Sequence, residues 1–96
     1  MRLLWHPKAA QDIEEIWDYS AKNWGIVQAD RYVGAIHQSA VALASGDLTG
    51  TSEAGSQEGL RRQVVGTHVI WFRIEGGPLL VGRVLHQSRD AGRWVG

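Results

Sequence analysis

Apolar residues recur at positions 9, 10, 13, 16, 17, 21 and 24. At about 100° per residue they fall on one arc of a helix, while Lys8, Gln11, Asp12, Glu14, Glu15, Asp18 and Lys22 fill the solvated arc. Pro7 suits a first helical turn and Gly25 a C-terminal stop, so the spacing predicts an amphipathic helix over 7–24. Asp18 and Lys22 are spaced for an i,i+4 pair on it. The same period returns at Ile26, Ala29, Tyr32, Val33, Ile36, Ala40 and Leu43 and stops at Gly46. With little more than Gly25 between them, the two helices are expected to fold back as a hairpin.

The period then changes to two. Residues 2–6 form a short apolar run stopped by Pro7 and read as a strand. Gly46 to Gly59 is a Gly, Ser and Thr-rich loop, and no Lys-Ser or Lys-Thr follows its glycines as a phosphate-binding loop requires. Three β-rich segments follow, 60–66, 67–75 and 79–86, punctuated at Gly66 and at Gly76-Gly77-Pro78. Alternation puts His68, Ile70, Phe72 and Ile74 on one face and Thr67, Val69, Trp71 and Arg73 on the other. In 79–86 it groups Leu80, Gly82, Val84 and His86 against Leu79, Val81, Arg83 and Leu85. The helical hairpin is expected to cover one sheet face through Ile13, Ile16, Trp17, Val33, Ile36, Ile70, Phe72 and Val84. The other face, with Trp71 and Arg83, has no cover in prospect and reads as a binding surface.

Ninety-six residues, 44% of them hydrophobic, make one folded domain of residues 1–96. No stretch approaches the roughly 20 apolar residues of a membrane span, and the start turns polar too quickly for a signal peptide. With no cysteine, thiolate chemistry is excluded and the cytoplasm is the expected compartment. Charge changes the picture more. Residues 1–58 hold four Lys/Arg against eight Asp/Glu, whereas residues 59–96 hold six Arg against two acids. An acidic protein partner or a phosphate backbone would each suit that arginine-rich half, and a solvated exterior is the plain alternative.

Candidate chemistry is sparse. His6, His37, His68 and His86 are scattered without metal-ligand spacing, so no metal or cofactor is expected. The helix carboxylates read as solvated, and no nucleophilic serine motif appears. His68 and His86 stand at strand ends beside arginines, where they act as acid or base or simply hydrogen-bond. Trp17 and Trp24 read as core, Trp5 and Trp71 as core or interface, and Trp94 beside Arg93 as a partner contact.

The ordered set His6-Pro7-x-Ala9, Asp12, Ile13, Ile16-Trp17-x-Tyr19, Ala29-x-x-Tyr32-Val33, Leu60-Arg61 and Gly66-Thr67-His68-Val69-Ile70-Trp71-Phe72-Arg73 resembles the ParE toxins of the RelE/ParE superfamily. Gly82-Arg83-Val84-Leu85-His86-x-x-Arg89-Asp90 is its most specific piece. The resemblance covers nearly the whole chain. It implies an α+β fold: an N-terminal strand, an αα-hairpin packed on a small antiparallel sheet, and a short C-terminal tail or helix. It also implies a toxin of a type II toxin–antitoxin system that inhibits DNA gyrase and is neutralised by a cognate ParD-like antitoxin. On that reading Trp71, Arg73 and Arg83 meet the antitoxin, and Arg61, His86, Arg89, Arg93 and Trp94 meet the target. The rival within the superfamily is a RelE-type ribosome-dependent mRNA endonuclease. Its positions fall near Gly59, Arg61, His68, Gln87 and Arg93, where only Arg61 keeps the expected charge. A degenerate, non-toxic interaction module is the third reading.

Overall fold

The structure, a computed structural model, describes residues 1–52 and 59–89. A short strand β1 (Leu3–Trp5) leads into helix α1 (Pro7–Trp24) and helix α2 (Ile26–Ser45). Four strands follow: β2 (Thr51–Ser52), β3 (Arg61–Val65), β4 (His68–Ile74) and β5 (Leu79–His86). They form one sheet in the order β1-β5-β4-β3-β2. The β2–β3, β3–β4 and β4–β5 pairs are antiparallel, and β1 lies parallel to β5 at one edge.

Local chemistry sets the helix ends. His6 is extended, and its Nδ1 accepts the Lys8 amide at 3.0 Å, satisfying one of the amides a helix start leaves unpaired. Pro7 needs no partner there. Gly25 is the single residue between the helices, and its φ of 90° is the left-handed value that turns one helix directly into the next.

The main core lies between the hairpin and the sheet. Ala9, Ile36, Ala40 and Leu43 from the helices meet Ile70, Phe72, Leu79, Val81 and Val84 from β4 and β5. Leu3, Trp5, Ile13, Ile16, Tyr32, Leu48 and Val65 pack around it. Ile70 and Phe72 thus face the helices, as their alternation requires.

Strand β5 departs from simple alternation. Trp71 pairs with Arg83 but Phe72 pairs with Val81, so Gly82 is an extra residue in the ladder, a bulge. The bulge shifts the phase. Leu79 and Val81 before it and Val84 after it all join the helix-side core, whereas Leu85 belongs to the opposite face.

That opposite face is not open. Leu60, Val69, Trp71 and Leu85 form a second buried cluster, with Trp71 only 4% exposed. Leu60 folds into it, and the Arg62 guanidinium carbon stands 6.0 Å from the centre of the Trp71 ring.

Helix α1 is also turned from its expected orientation. Its buried residues are Ala9, Asp12 and Ser20, which with Ile16 make one i+3/i+4 row. Rotation toward that row buries Asp12, expected in solvent, and leaves Trp24, expected in the core, 64% exposed. Trp17 is half-buried and donates its indole N–H to Asp30 at 2.8 Å.

Candidate functional site

An open groove of about 1020 Å³ runs between the C-terminal half of α1 and the adjoining ends of β4 and β5. Its base is the contact between Asp12 and Arg83. The Arg83 Nε and a terminal nitrogen donate to the two Asp12 oxygens at 2.8 and 2.9 Å, and the Val84 amide donates to the same carboxylate at 3.0 Å. The hydrogen bond to Asp12 holds Arg83 above its ordinary pKa; desolvation opposes this, and the charges of Asp12 and Glu15 add to it. The ion pair is largely shielded from water.

At the strand ends, His68 and His86 face each other as a register pair, their rings edge to face with centroids 5.6 Å apart. The Tyr32 hydroxyl, reaching over from α2, shares a hydrogen bond with His68 Nδ1 and accepts the Thr67 amide at 3.1 Å. Gly66 lets the turn come this close. A Cβ at its φ of 59° would stand 2.8 Å from the Tyr32 ring. Burial lowers the His68 pKa and the neighbouring His86 lowers it further, so His68 is neutral at pH 7. His86 Nδ1 lies 2.8 Å from the Ser88 hydroxyl and accepts the Ser88 amide at 3.2 Å. In its neutral form the ring therefore carries its proton on Nε2. The far wall is aromatic: Tyr19 and Trp24, 63% and 64% exposed, meet edge to face at 5.7 Å.

Of the residues expected to meet a target, His86 and Arg89 line this groove. Arg61 does not. Its guanidinium donates to the Thr49 and Gly50 carbonyls and the Ser52 hydroxyl, fastening the segment after α2 to β3. Arg93 and Trp94 lie outside the described residues. The residues expected to meet an antitoxin are not brought together either. Trp71 is buried on one side of the sheet, Arg83 reaches α1 and lines the groove, and Arg73 is half-buried in β4. Arg83 was placed on an uncovered face; the bulge at Gly82 and the Asp12 carboxylate account for its different position. Read from the sequence as a solvated helix carboxylate, Asp12 is instead buried, and Tyr32, Tyr19 and Trp24, for which the residue pattern implied no surface role, line the groove. The i+3/i+4 row through Asp12 was the available signal for the first of these.

The family description "ParE toxin of type II toxin-antitoxin system, parDE" matches residues 3–91, which takes in the groove, the hairpin and the whole sheet. The chain belongs to the ParE toxin family. It is 33% identical over 93 residues to Toxin ParE1 of Mycobacterium tuberculosis strain H37Rv, covering 96% of this chain and 95% of that one. It is likewise 33% identical over 89 residues to Toxin ParE1 of Caulobacter vibrioides, covering 93% and 92%. A solved structure titled "Chromosomal ParDE TA system from P. aeruginosa" superimposes with a TM-score of 0.78 over 90% of this chain and 95% of that one. At 24% identity that likeness concerns the fold. No helix among the described residues is long and apolar enough to cross a membrane.

Proposed function

We propose that this ParE-family toxin inhibits DNA gyrase in the cytoplasm and is neutralised by a cognate ParD-like antitoxin. The observation that carries the reading is the family match over residues 3–91, supported by two ParE1 toxins aligned over almost their full length. An acidic amphipathic antitoxin segment would find apolar surface at Tyr19 and Trp24 and a cation at Arg89 along one groove, beside the Arg83 guanidinium that holds Asp12. Binding there would cover His86 and Arg89, so one contact would both stabilise the pair and hide residues assigned to the target.

The ribonuclease reading draws support from the neutral His68 beside Tyr32 and His86. Against it stands Arg61, whose guanidinium is engaged with the Thr49 and Gly50 carbonyls rather than directed into the groove.

A supercoiling assay with purified gyrase, run beside a cell-free translation assay, separates the readings. Inhibited supercoiling with cleaved DNA accumulating, unchanged translation, and reversal by the partner encoded next to the toxin gene are the expected results. Loss of translation with normal supercoiling would favour the ribonuclease, and no effect in either assay the interaction module.

A further inference from the structure

We propose that the groove binds a short stretch of single-stranded nucleic acid, with bases against Tyr19 and Trp24 and phosphates against Arg89 and the His86 imidazole. Five ring side chains line it: Tyr19, Trp24, Tyr32, His68 and His86. Two of these, Tyr19 and Trp24, are more than half exposed and set edge to face. Flat, exposed aromatic surfaces suit planar bases, and such stacking tolerates any sequence because every base has a π-face.

The opposite wall has the chemistry of a phosphate contact. His86 keeps Nδ1 occupied by the Ser88 amide and hydroxyl, which orients the ring and leaves Nε2 as the donor. Arg89 lines the same wall. Of the two carboxylates in the lining, Asp12 is matched by Arg83, and Glu15 stands near enough to act on the same guanidinium. At about 1020 Å³ the groove is at the upper end of the range for small-molecule sites, room for more than one nucleotide. A duplex keeps its base faces stacked inside, so the aromatic wall selects an unpaired strand.

The inference stands apart from the gyrase reading and is tested apart from it. Fluorescein-labelled dT12 is titrated with the intact chain at low and moderate salt and followed by anisotropy. Saturable binding is expected, weakened at least tenfold in Tyr19→Ala/Trp24→Ala and retained in Trp24→Phe, which keeps a flat ring. Arg89→Ala is expected to weaken binding and flatten its salt dependence. Thermal unfolding of each variant confirms that it is folded. Four results would overturn the inference: no binding of dT12 by the unaltered chain, unchanged binding in the folded double variant, equal affinity for a blunt duplex of the same length, or an acidic Glu/Leu peptide bound in the groove while dT12 is not. Supercoiling inhibition by a chain that does not bind dT12 would remove this inference alone.

Discussion

Asp12 ties the first helix to the last strand through one carboxylate, accepting two bonds from Arg83 and one from the Val84 amide. Removing it strands a guanidinium and a backbone amide in a shielded place. Asp12→Ala is therefore expected to cost about 3–5 kcal/mol, read as a shift in urea midpoint. A double-mutant cycle with Arg83→Ala should show the two losses to be strongly non-additive. His68 gives a pH dependence whose sign follows from its lowered pKa. Unfolding returns the ring to about 6.5, so between the folded and unfolded values the unfolded chain binds more protons. Its contribution is present above about pH 6.5 and is lost as pH falls through the folded value. Urea midpoints compared at pH 7.5 and pH 5.5 should drop more for the unaltered chain than for His68→Gln. The helical row through Asp12 hints at its burial, but neither residue's partner could be assigned from the sequence. Asp12 looks like one more acid on a helix rich in them, and its partner lies 71 positions away. His68 meets Tyr32 because α2 crosses the β3–β4 turn, a juxtaposition that periodicity does not encode.

The elements themselves were legible. Period 3.6 over 7–24 and 26–45, punctuated by Pro7, Gly25 and Gly46, produces the two helices. Period 2 with turn glycines produces β3, β4 and β5, and puts Phe72 under the hairpin at 1% exposure. Phe72→Ala should accordingly cost about 3–5 kcal/mol, a loss that chemical denaturation would measure directly. What failed was phase. A bulge at Gly82 adds one residue to β5, and every side chain beyond it changes sides relative to strict alternation. In α1 the error was a rotation. The stripe of large apolar residues lies beside the buried row, because Arg83 draws Asp12 inward, with Ser20 on the same row, and Trp24 is left exposed at the hairpin tip. The groove was illegible for the same two reasons, since the bulge and the rotation supply its walls.

At the scale of the molecule, the segregation of charge did not produce a separate arginine face among the described residues. Arg61 is spent on the segment after α2, Arg62 lies over Trp71, and Arg83 returns to the acidic helix. The two oppositely charged halves of the sequence are in part complements of each other. The parallel pairing of β1 with β5 has a further consequence. Leu3, Leu4 and Trp5 lie beside Leu79, Leu80 and Val81, the Leu79 amide donates to the Arg2 carbonyl, and the His6 amide to that of Val81. During synthesis the hairpin emerges first but has no sheet to lie on, and its apolar face stays uncovered until nearly the whole chain has left the ribosome. The groove cannot form before residues 79–89 are present, since β5 and Arg89 supply one of its walls.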